Sequence, residues 1–328
     1  MNAPLLSVRD LSVQFHTYAG KVHAVNGMSF DIDAGDIFGL VGESGCGKSV
    51  TGMAITRMIA GSGRITGGQV LFHGEDLLRK TEQEMQSIRG KRIAMVFQDP
   101  TASLNPVFSV GNQITRIIRQ HTGANAREAR ARALAMFESV ALPDPERIFR
   151  IYPHELSGGM QQRVMIAMAL ASGAELLIAD EPTTALDVTI QAQILRLLVD
   201  LRDREGISIL LITHNLGVVS ETCNRVAVAY AGKIVESGLT DDVLQNMKHP
   251  YTQGLLAALP SSNQRGQDLV AIPGNVPNGL ATIAGCPFHP RCGARLPVCS
   301  QVAPAFIPIG AGAHQAACHL YTPGEQSA

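Results

Sequence analysis

A chain of 328 residues is long enough for about two domains. With 45% hydrophobic and 17% charged residues, and Lys plus Arg at 27 against Asp plus Glu at 28, it is no disordered chain and has no global charge drawing it to nucleic acid. Apolar runs such as 176–179 and 209–212 are strand-sized, short of the roughly 20 residues that span a bilayer, and residues 1–10 lack the basic-then-apolar order of an export signal, so the chain reads as cytoplasmic.

In chain order, loose apolar–polar alternation over 5–15 and 22–33, around Tyr18-Ala19-Gly20-Lys21, predicts an antiparallel pair with a turn. A short apolar strand at 37–41 runs into Gly42-Glu43-Ser44-Gly45-Cys46-Gly47-Lys48-Ser49 and then a helix to about residue 59. A further hairpin near 67–74 and a strand at 93–97 follow. After Pro100 the pattern turns helical, and Arg127, Arg130 and Arg132 on the helix predicted at 126–140 read as a solvated face. From 176 the alternation is strand, helix, strand, helix (176–179, 188–204, 208–213, 216–222), which implies a mostly parallel sheet covered on both faces. Beyond about 240 the prolines Pro250, Pro260, Pro273, Pro277, Pro287, Pro290 and Pro297 break any long helix. A boundary is expected between 236 and 260, dividing a first domain, 1–240, with a helical part at about 100–170, from an extension, 241–328.

Residues 42–49 fit G-x-x-x-x-G-K-[S/T], between a strand and a helix as a phosphate cradle requires. Glycines let backbone N–H groups turn inward, the helix N-terminus adds partial positive charge, and Lys48 reaches the outer phosphates, while Ser49 is placed for Mg²⁺. Val50 belongs to the same helix start. A magnesium nucleotide site also needs carboxylates at the end of a buried strand, and Asp180 and Glu181 close the run 176–181. Asp180 is expected to hold Mg²⁺, and Glu181 to polarise a water in line with the γ phosphate.

Leu156-Ser157-Gly158-Gly159-Met160-Gln161-Gln162-Arg163 resembles the signature motif of ATP-binding cassette proteins, placed just before the carboxylate strand as in that family. Gln98 resembles its Q-loop glutamine, Ala185-Leu186-Asp187 its D-loop and His214 its switch histidine, so six motifs stand in order. The resemblance implies an α/β fold with a RecA-like P-loop NTPase core, an antiparallel β subdomain, a helical subdomain and an irregular cysteine-containing extension. It further implies that Ser157, Gly158, Gly159, Gln161 and Asp187 serve the γ phosphate of a second subunit, so that two chains sandwich two ATP molecules. Ser157 also suits a plain helix N-cap. His214 would contact the γ phosphate and Gln98 would sense Mg²⁺ and the attacking water, although Asn215 stands where the family has aspartate. Tyr18 is the choice for stacking on adenine, with Phe15 as competitor.

His249-Pro250-Tyr251-Thr252, followed by Leu255-Leu256 and Leu259-Pro260, is similar to the segment after the cassette in ATPase subunits of bacterial dipeptide, oligopeptide and nickel importers. Pro273-Gly274-Asn275-Val276-Pro277, Gly285-Cys286-Pro287-Phe288-His289-Pro290-Arg291-Cys292 and Cys318-His319 continue the likeness. Cys286, Cys292, Cys299 and Cys318 would suit Zn²⁺ or an iron–sulfur cluster, or stay unligated, and the lack of a C-x2-C knuckle leans away from zinc. The importer family implies a [4Fe-4S] cluster there. Cys46 reads as loop filler, Cys223 as core, and His289, His314 and His319 as surface imidazoles.

The expectation is therefore an ATPase that binds ATP and Mg²⁺ and pairs with a second ATPase subunit. It would engage two transmembrane permease subunits, served indirectly by an extracytoplasmic peptide-binding protein, on the cytoplasmic face of the inner membrane, with no nucleic-acid partner. The rivals are a soluble cassette ATPase acting on nucleic acid or ribosomes, an importer ATPase for nickel or another small solute, and a redox or metal sensor built on the cysteine tail.

Overall fold

The computed structural model describes residues 3–184, 186–258, 272–280, 283–310 and 313–322, so Ala185, Leu259 and Pro260 lie outside the described residues. By internal packing the chain divides into two units, one of Met1–Ile32, Phe38–Leu78 and Ile212–Ala328, the other of Asp33–Ile37 and Arg79–Leu211. Among the described residues no helix is long and apolar enough to cross a membrane.

In the first unit β1 (Leu6–Thr17) pairs antiparallel with β2 (Gly20–Ile32) and with β4 (Gly63–Phe72), and β4 pairs with β5 (Glu75–Asp76). Leu6, Val8, Leu11 and Val13 of β1 are all fully buried although their spacing slips by one between Val8 and Leu11. The register shifts at that point and Asp10 takes φ 46°, so a bulge restores the inward face. The predicted hairpin near 67–74 exists at the β4–β5 turn, but its first strand begins earlier, at Gly63, because β1 offers β4 a second edge.

Five further strands of this unit form a second ladder. β3 (Ile37–Val41), buried throughout, runs parallel to β9 (Arg225–Tyr230). β9 pairs antiparallel with β10 (Lys233–Leu239), β10 with β12 (Gln315–Ala316), and β12 with β11 (Ile307–Pro308), which brings the tail into the sheet. α1 (Lys48–Ile55) is shorter than expected because Thr56 turns its hydroxyl onto the Gly52 and Met53 carbonyls and Arg57 takes φ 53°. α9 (Leu216–Thr222) lies on β3, where Gly39 leaves room for Val219 and Cys223. α10 (Thr240–Gln245) and α11 (Pro250–Ala257) follow.

In the second unit β6 (Ile93–Val96) runs parallel to β7 (Leu176–Asp180), with β8 (Ser208–Thr213) on the other side of β7. The helices are α2 (Glu82–Ile88), α3 (Pro100–Ser103), α4 (Val110–Thr122), α5 (Ala126–Ser139), α6 (Pro145–Arg150), α7 (Gly158–Leu170) and α8 (Val188–Glu205). Their starts are written in the sequence: Thr81 with Glu84 and Asn125 with Glu128 form capping boxes, and Ser109 and Asp187 cap α4 and α8. α4 buries Val110, Ile114 and Ile118, one helical face, and α5 buries Ala129, Ala133 and Phe137. Arg127 and Arg132 of α5 are exposed, whereas Arg130 pairs with Glu146 and lies over the Phe149 ring at 4.5 Å.

Candidate nucleotide site

The first unit holds the glycine loop. β3 ends at Val41, the chain curves through residues 42–47, and α1 begins at Lys48. Crowding dictates two of the glycines: a Cβ on Gly42 would lie 2.2 Å from the Ala229 carbonyl, and one on Gly47 2.2 Å from the Ala24 carbonyl. Gly47, at φ 97°, also needs the left-handed region. Lys48 is buried, and its Nζ donates to the Gly42 carbonyl at 2.7 Å and the Glu43 carbonyl at 3.0 Å, so its ammonium sits within the curve. Ser44 and Gly45 face solvent, and Ser49 and Val50 are half-buried in the first turn of α1. Cys46 is fully buried, which pushes its thiol up against the opposing pull of Lys48. The loop therefore sets a helix start beside a fixed cation, which is the chemistry of an anion site.

Tyr18 stands at the exposed tip of the β1–β2 turn, and Phe15 packs by Gly63, where a Cβ would come within 2.7 Å of its ring. A cavity of about 140 Å³ adjoins the loop, lined in part by Val22, His23, Asn26, Gly45, Lys233 and Asn278. His214 is exposed at the end of β8, and Asn215 caps α9, its side chain accepting from the Gly217 N–H at 2.9 Å. An asparagine does this capping as well as aspartate would, without the charge.

The second unit holds the carboxylates. Asp180 closes β7 at 6% exposure. Glu181 takes φ 47°, a strained conformation for a residue with a Cβ, and its carboxylate accepts from Thr184 Oγ1 at 2.8 Å and from Gln98 Nε2 at 3.4 Å. The structure thus joins Gln98 to Glu181, residues 83 positions apart. Ser157 caps α7, its Oγ accepting from the Met160 N–H at 3.4 Å. Gly158 is exposed, and Gly159 has no room for a Cβ, which would meet Ile190 at 2.6 Å. Gln161 turns back, its Nε2 donating to the Pro153 carbonyl at 2.9 Å. Asp187 accepts from the Ile190 N–H at 2.9 Å.

The tail differs from expectation in its histidines. His314 and His319 are buried, at 5% and 3% exposure, rather than on the surface. For His314 the reason is a fully buried carboxylate: Glu236 accepts from His314 Nε2 at 2.7 Å, from the Lys248 N–H at 2.6 Å and from the His249 N–H at 3.0 Å. His319 Nε2 lies 2.8 Å from the Val302 carbonyl, and half-buried His289 lies 2.8 Å from the Cys286 carbonyl.

All six cysteines are free thiols, and Cys223 is buried as expected, its pKa pushed up to about 12 by burial. Cys286, Cys292, Cys299 and Cys318 lie in one neighbourhood: the Cys286 N–H donates to the Cys299 carbonyl at 2.8 Å, and burial followed by the other thiols' charge raises Cys318 to about 11. The donor chemistry suits a thiophilic metal. However, no group of three or more His, Cys, Asp or Glu among the described residues is drawn close enough to hold a metal ion, so the arrangement does not support the expected [4Fe-4S] cluster.

Reading by motif missed Glu43, whose carboxylate pairs with Arg291, and Glu236. The motifs His249-Pro250-Tyr251-Thr252 and His289-Pro290-Arg291-Cys292 were the available signals, but spacing alone names no partner.

Residues 25–184 match the model of the ABC transporter family, and residues 235–299 match that of the oligopeptide/dipeptide transporter C-terminal region. A probable peptide ABC transporter ATP-binding protein of Sinorhizobium fredii is 49% identical, across 96% of this chain and 94% of that protein. The dipeptide transport ATP-binding protein DppD of Bacillus subtilis is 46% identical across 96% and 94%, and the oligopeptide transport ATP-binding protein OppD of Salmonella typhimurium 47% identical across 93% and 91%. Among solved structures, the dimeric ATP-binding cassette MJ0796 bound to ADP and Pi aligns at a TM-score of 0.64 and 26% identity, over 72% of this chain and 98% of that one. The cassette cbiO1 of Clostridium perfringens aligns at a TM-score of 0.65 and 26% identity, over 75% and 92%.

Proposed function

Because the chain belongs to the ABC transporter ATP-binding proteins, in their oligopeptide/dipeptide group, we propose that it is the ATP-hydrolysing subunit of an importer of dipeptides or oligopeptides. The likeness over 96% of the chain, tail included, carries this reading, since the tail is what sets the peptide group apart.

In this reading the phosphates of ATP enter the curve of residues 42–47, where Lys48 and the start of α1 offset their charge. Ser49, Gln98 and Asp180 would hold Mg²⁺, which would supply charge neutralisation to the phosphates. Glu181 orients the attacking water; its strained backbone and its bonds from Thr184 and Gln98 suit a carboxylate held in one orientation. His214 meets the γ phosphate, and Tyr18, exposed at its turn, stacks on adenine. Ser157, Gly158, Gly159, Gln161 and Asp187 serve the nucleotide of a second ATPase subunit, so that ATP joins the two chains.

Two permease subunits complete the machine on the cytoplasmic face of the inner membrane, and an extracytoplasmic binding protein selects the peptide. Val107 and Phe108, exposed at 74% and 47% shortly after Gln98, support a permease contact there.

The test uses the complex purified with its permeases. Glu181→Gln should lower ATP turnover by about a thousandfold while Mg–ATP still binds. Unchanged turnover would overturn the assignment of Glu181, and no permease in the purified complex would overturn the transporter reading.

A further inference from the structure

Glu43 is the second residue of the glycine loop, and three of its groups are engaged. Its N–H donates to Tyr251 Oη at 2.9 Å, its carbonyl accepts from Lys48 Nζ at 3.0 Å, and its carboxylate accepts from Arg291 Nη1 at 2.7 Å and Nη2 at 3.0 Å. Tyr251 and Arg291 lie 208 and 248 positions further along the chain, yet all belong to the same unit.

The two tail residues are themselves fixed. Arg291 has a side chain only 5% exposed, and it also donates to the carbonyls of Pro273 at 2.9 Å and Ile272 at 3.3 Å, and to Tyr230 Oη at 3.4 Å. Tyr251 is fully buried, its ring 4.6 Å from that of Tyr230, and both rings meet Phe288 at 5.3 and 5.2 Å. A bidentate pair with its guanidinium out of water is stronger and more directional than an exposed ion pair. Glycine-rich loops lose conformational freedom when they close on a ligand, and a loop already held in its curve loses less.

We propose that Arg291 and Tyr251 are positioning residues for the phosphate loop, holding Glu43 from its side-chain and backbone ends so that the C-terminal tail sets the affinity for ATP. The proposal rests on reading residues 42–49 as the ATP phosphate loop. It gives the tail a task within the nucleotide site, carried by the arginine next to Cys292 and the tyrosine at the start of α11. A tail that used Glu43 only as an anchor would affect stability and leave the loop's affinity alone, which separates the two cases.

Isothermal titration of the full-length chain with Mg–ATP, and KM and kcat for ATP in the permease complex, test this. Glu43→Gln and Arg291→Ala should each weaken Mg–ATP about tenfold, and the double variant should be no weaker than the poorer single one, since both remove one interaction. Arg291→Lys, which keeps the charge without the fork, should recover part of the loss, and Tyr251→Phe should weaken binding about threefold. The loss should appear in KM, with kcat changed by less than about twofold. Unchanged affinity in Glu43→Gln, additive losses in the double variant, or a lowered melting temperature of Arg291→Ala at unchanged affinity would each overturn the proposal. If Arg291→Ala does not fold, Glu43→Gln and Tyr251→Phe decide alone, because neither empties the core. Lys48→Ala should abolish Mg–ATP binding, and wild-type affinity in that variant would overturn the phosphate-loop reading itself.

Discussion

Gly47 has two independent reasons to be glycine, its φ of 97° and the Ala24 carbonyl 2.2 Å from where a Cβ would stand. The obstacle is backbone, so relief requires moving β2 or the loop. Gly47→Ala should therefore weaken Mg–ATP binding at least about tenfold and lower the melting temperature, read by titration and by thermal unfolding. His249 is a residue of the opposite kind, acting through its charge state. Burial lowers its pKa from 6.5 to about 4, while its Nδ1 accepts the Tyr251 N–H at 3.1 Å. The unfolded chain takes up a proton below about pH 6.5 and the folded one only near pH 4, so stability is lost as pH falls across that window. The loss should reach about 3 kcal/mol in urea unfolding, and His249→Gln should flatten that dependence.

The elements were the most legible scale. The helices predicted at 126–140, 188–204 and 216–222 appear as Ala126–Ser139, Val188–Glu205 and Leu216–Thr222, because capping residues and i, i+4 apolar spacing are local signals. Where boundaries moved, a hydrogen bond or a strand edge from elsewhere moved them, as with Thr56 at the end of α1 and β1 beside β4. Caps are also separable from the site. Asn125→Ala removes a capping box on α5, whose side chain accepts the Arg127 and Glu128 N–H groups at 3.0 Å. It should cost about 1 kcal/mol in chemical unfolding and leave Mg–ATP affinity unchanged.

At the scale of the whole molecule, the tail belongs to the packing of the first unit. β12 adds to β10, the His23 N–H donates to the Gly279 carbonyl at 2.8 Å, and Glu236 on β10 gathers Lys248, His249 and His314. Glu236→Ala would leave two N–H groups and an imidazole buried without their acceptor. It should destabilise the chain by about 3 kcal/mol or more in urea unfolding, well beyond the cost of an exposed carboxylate. Glu236→Gln, which keeps the shape, should lose less.

By itself the sequence determined the order of the motifs, the elements that carry them and the family they announce, because glycine loops, helix caps and strand-end carboxylates are written in adjacent residues. Only the tertiary structure decided which distant groups meet: Glu43 with Arg291 and Tyr251, Gln98 with Glu181, and Glu236 with His314, a buried histidine that had read as a surface one. It also left the four tail thiols together without the closed arrangement that the family resemblance had implied. The reason is physical: local signals act through the backbone over one or two turns, whereas a partner hundreds of residues away is selected by burial, which makes an unpaired charge costly and so dictates that a counterpart be found.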